Sequence, residues 1–323
     1  MAVVMTDSAQ EPIPAICLMG PTAAGKTELA IELSKEFPLE LISVDSVQVY
    51  RGMDIGAAKP SRAILEAYPH RLIDIRDPWE TYSAGQFCRD VVIAMNEIVA
   101  AGRIPLLTGG TMLYFQALQR GLAELPEADP DLRAQLDERA ASEGWPALHA
   151  ELRTLDPVTA ERLKPNDAQR IQRALEVCLS SDEPMSELVA ATEPPVAASY
   201  LNIGLLPSDR LVLHERIARR LEQMLTEGMV DEVRGLLDLP GMSLEIPAMR
   251  AVGYRQVGLY LAGELSLDDA QAKAVVATRR LAKRQLTWLR SWPDLHVLDC
   301  LSTDRLVILR QIMHSWLEGR ATI

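Results

Sequence analysis

Over roughly the first hundred positions, short apolar runs alternate with longer stretches of helical periodicity. Residues 15–19 form an apolar run that ends at a glycine, and 27–37 follow with Leu29, Ala30 and Leu33 at helical spacing. The pattern predicts a second strand over 39–44, ending at Asp45, and a third over 71–75. A helix is predicted over 87–101, closed by Gly102, and a fourth strand over 104–107 runs into Thr108-Gly109-Gly110. Strands alternating with helices imply an α/β core with a parallel sheet covered on both faces.

The pattern then changes. From 124 to 202 the chain is rich in Pro, Ala, Glu and Leu, with helical spacing and turn signals at Pro126, Pro130, Pro157, Pro165 and Pro194-Pro195. A return strand is predicted over 200–206, then helices over 211–228, 230–237, 257–262 and 267–290. The expected organisation is a disordered lead-in (1–14), a first part of the core (15–122), a mostly helical insertion (123–199), and a second part of the core with a helical C-terminal region (200–323).

Charge sharpens this picture. With 33 Lys and Arg against 45 Asp and Glu, the formal net charge is −12, which argues against broad, non-specific nucleic-acid binding. One segment runs the other way. Residues 271–293 hold no acid, while Lys273, Arg279, Arg280, Lys283, Arg284 and Arg290 are basic, so an anionic partner is expected there. No apolar run approaches the roughly 20 residues a bilayer span needs, and the N-terminus has no signal-peptide pattern. Cys17, Cys88, Cys178 and Cys300 are widely spaced, which predicts small buried hydrophobes in a reducing cytosol.

The most specific local signal is Gly20-Pro21-Thr22-Ala23-Ala24-Gly25-Lys26-Thr27, which fits G-x-x-x-x-G-K-[ST] between a predicted strand and a predicted helix. In such a phosphate loop the glycines let backbone N–H groups converge on phosphate oxygens, Lys26 supplies a point charge, and the Thr27 hydroxyl suits a metal such as Mg²⁺. P-loop ATPases usually carry a second strand ending in a metal-organising Asp. Here the 104–107 strand ends in Thr-Gly-Gly, and the strand with a terminal acid is 39–44. Asp45 is therefore expected beside the loop, as a metal-shell residue or a proton acceptor.

Further motifs follow in order: Ser43-Val44-Asp45-Ser46-Val47-Gln48-Val49-Tyr50, His70-Arg71-Leu72-Ile73-Asp74-Ile75, Gly109-Gly110-Thr111, Asp167-Ala168-Gln169-Arg170-Ile171-Gln172-Arg173, Val252-Gly253-Tyr254-Arg255-Gln256, and the stretch from Thr278 to Trp288. With the phosphate loop, this ordered set resembles the bacterial tRNA dimethylallyltransferases, the isopentenyl-diphosphate:tRNA transferase family, over nearly the whole chain. The resemblance implies a P-loop NTPase/kinase-like core with a helical insertion that closes over an anticodon stem-loop. It implies Mg²⁺-dependent transfer of a dimethylallyl group from dimethylallyl diphosphate to the exocyclic amine of the adenine 3′ of the anticodon, in tRNAs reading codons that begin with U.

The resemblance also implies roles. Asp45 is the expected base for the weakly nucleophilic amine. Gly20 through Thr27 are expected to hold the diphosphate, with Thr27 at the bridging region or the metal and Arg220 as a further cation, Arg216 and Arg219 being close alternatives. Expected tRNA contacts are Asp45, Ser46, Val47, Gln48, Thr111, Gln169, Arg170, Ile171, Gln172, Arg173, Arg250, Ala251, Val252, Gly253, Tyr254, Lys283, Arg284, Gln285 and Trp288. Gln48 suits an adenine edge, and Tyr50, Tyr254 and Trp288 are candidate stacking platforms. Ala24 stands where many relatives place Ser, and no metal finger is expected after Cys300. A monomeric, cytoplasmic enzyme is expected. A nucleoside or nucleotide kinase using the same loop, and a nucleotide-gated binding module, are the competing readings; the first gives no role to the basic segment or to Gln169 through Arg173, and the second leaves the placement of Asp45 beside the loop unexplained.

Overall fold

The computed structural model describes residues 12–123, 125–126, 129–190 and 192–321. Two compact units emerge, one made of the chain up to 116 together with 195 onward, the other of 117–194. The lead-in expected over 1–14 lies outside the described residues as far as 11; at its end the first strand has already begun at Ile13.

The first unit is built on six parallel strands: β1 (Ile13–Met19), β2 (Leu39–Val44), β3 (His70–Arg71), β4 (Ile104–Gly109), β5 (Ala198–Leu206) and β6 (Leu295–Asp299). Their spatial order is β3-β2-β4-β1-β5-β6. The central strands read as continuous apolar runs because both faces are covered; Ala15 through Met19 are all fully buried. From β1 the chain builds to one side with β2, β3 and β4 and to the other with β5 and β6. The end of β1 is thus a topological switch point, where open α/β sheets place their ligands.

Before β5 come α1 (Lys26–Ser34), α2 (Arg62–Ala67), α3 (Ala84–Ala100) and α4 (Met112–Arg120), the last of which runs into the second unit. That unit holds α5 (Pro130–Glu143), α6 (Trp145–Leu155), α7 (Pro157–Arg162), α8 (Ala168–Ser181) and α9 (Met185–Ala190) around Leu136, Leu148, Leu152, Ile171 and Leu175. Beneath its surface Glu176, wholly buried, accepts hydrogen bonds from Arg133 and Arg173, which neutralise it and hold its carboxyl below the usual range against the opposing effect of burial.

Beyond β5 the first unit continues with α10 (Arg210–Thr226), α11 (Met229–Leu237), α12 (Tyr254–Leu261), α13 (Leu267–Arg290) and α14 (Arg305–Ala321). Helix α13 shows why its sequence chose this form. Ser266 caps it by accepting from the Asp269 N–H, acids stand in its first turn, and Arg290 stands in its last. Ala274, Ala282, Leu286 and Leu289 face the core, while Arg280, Lys283, Thr287 and Arg290 are exposed. Truncating Leu286 or Leu289 to Ala would cost about 2–5 kcal/mol.

Two expectations are corrected. The strand expected over 71–75 stops at Arg71, because Leu72 and Asp74 take left-handed φ values of 63° and 55°. The strand β6 was not anticipated; it pairs with β5 from Asn202–Leu295 to Leu206–Asp299 and leaves His296 and Val297 exposed, which erases the apolar signature of a buried strand.

Candidate active site

The chain leaves β1 at Met19 and turns through Gly20 to Gly25 into α1. Gly20 N–H donates to the Gly109 carbonyl (3.3 Å), which ties the loop's first residue to the end of β4. Gly25 at φ 82° lets the helix start abruptly, so its first N–H groups open toward the loop. Lys26 Nζ folds back to donate to the carbonyls of Gly20 (2.9 Å) and Pro21 (2.8 Å). Around this loop lies a cavity of about 300 Å³. Thr22 through Thr27, Asp45, Val47, Gln48, Gly110, Arg220, Val252, Gly253 and Gln285 all line it, while Gly20 and Pro21 are buried behind the loop.

Electrostatics single out three of these groups. Burial pushes the Lys26 ammonium down to about 8; nearby Asp45 opposes the drop, and Arg220 adds to it. Burial likewise lowers Arg220, again opposed by Asp45. Two cations and one carboxylate therefore sense one another across one cavity. The register of α10 settles the arginine ambiguity left by the sequence. Arg220 turns into the cavity, Arg219 is exposed and pairs with Glu215 (3.6 Å), and Arg216 lies near Asp299. Asp45 Oδ1 accepts from the N–H groups of Val47 (2.8 Å) and Gln48 (3.2 Å), which fixes its rotamer and leaves Oδ2 for a ligand.

Three side chains hold the walls in place. Gln285, on α13, accepts from Thr22 N–H (3.1 Å) and donates to the Gly110 carbonyl (2.9 Å), joining the phosphate loop to the turn after β4. Space there is so tight that a Cβ on Gly110 would lie 2.4 Å from the Gln285 amide nitrogen. Gln48 accepts from Ser43 Oγ (2.9 Å) and donates to the carbonyls of Ala57 and Ala58 (both 3.3 Å). Glu232, on α11, accepts from the N–H groups of Asp54 (3.0 Å), Ile55 (2.6 Å) and Gly56 (3.0 Å) and from Tyr254 Oη (2.7 Å). Sequence reasoning missed Glu232; nothing in its local pattern, Asp231-Glu232-Val233, distinguishes it from a solvated helix face.

Several expected contacts take another place. Tyr254 is fully buried and Tyr50 is 4% exposed, so neither can offer a ring to a base; both belong to the cluster around Met53, Met229 and Val233. Ile171 is fully buried in the helical unit's own core, and Gly253 is buried too. On α8, Gln169 and Arg170 are exposed, whereas Gln172 donates to Asp137 (2.8 Å) and Arg173 to Glu176 (2.7 Å). Ser46, Arg250, Lys283 and Arg284 are exposed; Thr111, Ala251, Val252 and Trp288 are half-buried. Thr111 Oγ1 accepts from Ser46 N–H (3.1 Å). The four cysteines are free and buried, as expected.

Among the described residues no three or more His, Cys, Asp or Glu side chains gather into a metal cluster. Thr27 and Asp45 offer one hydroxyl and one carboxylate on the cavity wall, a sparse oxygen set that fits a hard cation drawing its remaining ligands from phosphate and water. No helix among the described residues is long and apolar enough to cross a membrane.

The family model described as IPP transferase matches residues 48–292. The chain is 56% identical over 291 residues to the tRNA dimethylallyltransferase of Thiobacillus denitrificans, covering 90% of this chain and 93% of that protein. Its fold matches the crystal structure of a tRNA isopentenylpyrophosphate transferase from Bacillus halodurans with a TM-score of 0.70 and 36% identity, covering 97% of this chain and 99% of the other. A eukaryotic dimethylallyltransferase acting on tRNA matches with a TM-score of 0.79 and 25% identity, over 95% of this chain and 80% of that one. The parallel sheet with its phosphate loop after β1 is the P-loop NTPase-like core of these structures. Sequence, fold and site agree, and the chain belongs to the IPP transferase family.

Proposed function

We propose that this protein transfers the dimethylallyl group of dimethylallyl diphosphate to N6 of the adenine 3′ of the anticodon, in tRNAs reading codons that begin with U, and releases diphosphate. The observation that carries this reading is one cavity in which a phosphate loop, Lys26 and Arg220 share space with the carboxylate of Asp45 and an apolar wall of Leu221, Met224, Met229 and Leu281. The kinase reading lacks a comparable basis: β4 ends in Thr108-Gly109 with no acid, and the relatives above are named as transferases of tRNA.

The loop N–H groups, Lys26 and Arg220 bind the diphosphate and stabilise the charge that grows on it as the bond between C1 and the bridging oxygen breaks. The apolar wall suits the five-carbon group and excludes water that would otherwise compete with the amine. The adenine amine is a poor nucleophile, since its lone pair is shared with the ring. As its nitrogen bonds to C1, Asp45 Oδ2 takes one of its protons. Thr27, with Asp45 beside it, would hold a Mg²⁺ ion, which when bound would supply further neutralisation of the leaving group. In the first unit exposed Ser46, Arg250, Lys283 and Arg284 would meet the anticodon stem-loop, as would exposed Gln169 and Arg170 in the helical unit, and the enzyme acts as a monomer in the cytoplasm.

The test is to incubate the protein with labelled dimethylallyl diphosphate or labelled ATP, with and without unmodified tRNA. Label from the prenyl donor should move to tRNA only. ATP hydrolysis without prenyl transfer would overturn the reading.

A further inference from the structure

His70 stands in a motif to which the reaction outlined above gives no task. It opens β3 in register with Leu41 of β2, and Ser43, two residues on, is in register with Thr108 of β4. Residues two apart on a strand share a face, so His70, Ser43 and Thr108 rise from one side of the sheet, and all three line the cavity.

The state of the imidazole follows from its partners. Nδ1 lies 2.7 Å from the Tyr68 carbonyl. A carbonyl only accepts, so Nδ1 carries the hydrogen and Nε2 of the neutral ring presents a lone pair. Burial pushes the imidazole pKa down, which keeps the ring neutral around pH 7. Nε2 is buried and meets no donor. Its neighbours cannot supply one: the Ser43 hydroxyl donates to Gln48, and the Gln48 amide donates to the carbonyls of Ala57 and Ala58. Thr108 Oγ1, 7% exposed as a residue, is likewise unpartnered. Buried polar atoms without partners are rare in native proteins and call for an occupant that completes them.

We propose that His70 Nε2 accepts a hydrogen bond from the exocyclic amine of the target adenine, directly or across one ordered water held with Thr108, and so selects a base that carries a donor at that position. The inference rests on the adenine-transfer reading. The amine has two N–H groups. One proton goes to Asp45 during transfer, and the other needs an acceptor in a cavity where the amide of Gln48 is already committed. A base with a carbonyl at the same position would set lone pair against lone pair, which is the stronger half of the discrimination.

The experiment uses anticodon stem-loops that carry adenine, purine without the amine, or hypoxanthine at the target position, and measures their competition for the full-length protein. Three forms are compared: wild type, His70→Leu and His70→Gln. The wild type should prefer the adenine stem-loop. His70→Leu should shrink that preference by about tenfold, the worth of one hydrogen bond of ~1.4 kcal/mol. His70→Gln, whose Oε1 reaches the place of Nε2, should restore it. Melting temperatures taken alongside separate recognition from folding. An undiminished preference in His70→Leu would overturn the proposal, and so would equal losses of preference and melting temperature in both variants. A wild type that neither transfers the prenyl group nor prefers adenine would instead sink the reading on which the proposal rests.

Discussion

Raising the pH should loosen the grip on diphosphate through Lys26 alone. In the free protein burial brings the ammonium from 10.5 to about 8. A bound diphosphate reverses the main cause of that drop, because its negative charges replace lost solvent at the ammonium. Binding therefore takes up a proton wherever Lys26 is neutral beforehand, and affinity falls as pH rises through about 8. With a free-protein value of about 8, the neutral fraction goes from roughly a tenth at pH 7 to roughly nine-tenths at pH 9, so the dissociation constant should rise about tenfold over that range. A prenyl diphosphate does not confuse the result, since its terminal phosphate, like a phosphate monoester, has already lost its second proton near pH 6.

Folding stability runs the opposite way. A lysine whose pKa is lowered on folding costs stability below about pH 8, and that cost is relieved as pH rises from about 8 toward 10.5. Its full size would be about 3 kcal/mol, at 1.36 kcal/mol for each tenfold change in proton affinity. The stem of Lys26 retains some solvent contact, so about 1–3 kcal/mol is the working range. Calorimetric titration with dimethylallyl diphosphate, in the absence of tRNA, from pH 7 to 9 measures the binding effect, with Lys26→Arg as the control that stays charged throughout. A flat wild-type profile, or the same slope in Lys26→Arg, would refute the reasoning.

Three other outcomes are expected. Asp45→Asn keeps the turn at Val47 and Gln48 but cannot take the proton, so single-turnover transfer should fall by about 10²- to 10⁴-fold with little change in binding of either substrate; near-normal turnover would move the base elsewhere. Replacing the exposed pair Lys283 and Arg284 with Ala should weaken tRNA binding and flatten its salt dependence while leaving diphosphate affinity alone, which filter-binding titrations across a salt series would read. Glu232→Ala removes the acceptor of four hydrogen bonds and should destabilise the protein by roughly 2–3 kcal/mol in urea unfolding; a loss below about 0.5 kcal/mol would mean the 54–56 turn holds without it.

How much of this was legible in the chain depended on the range of the cause. The phosphate loop and Asp45 were legible because each sits at the end of an apolar strand, and such strands in a parallel sheet all deliver their ends to one edge. Helix α13 was legible to its last residue, since its cap, its period and its terminal charges agree. Gln285 was expected to meet tRNA, whereas the structure buries it and ties it to Thr22, 263 residues away, a tie with no local trace. Tyr50 and Tyr254 were assigned to the outside because an aromatic in a polar motif reads the same whether its ring stacks on a base or packs on a methionine. Only the tertiary cluster around Met229 separates the two. The true extent of the short β3 and the whole of the exposed β6 escaped for a different reason, since neither buries enough apolar surface to carry a period.

The position of β1 also dictates when the anion site can come into being. It leaves the ribosome before both of its neighbours, yet it sits between β4, whose pairing residues begin at Ile16–Leu106, and β5, whose pairing begins at Ile13–Ala198. For the time taken to make nearly two hundred residues, β1 has an open edge that no later neighbour has yet covered. Contacts of such long sequence separation slow folding and leave unpaired strands at risk of pairing with another chain. Even a closed sheet is not the end of it. The backbone of Thr22 waits for Gln285, and the last turns of α13 must therefore emerge before the loop near the start of the chain can settle into its binding geometry. A nascent chain truncated anywhere before that helix would hold the whole phosphate motif and still lack its support.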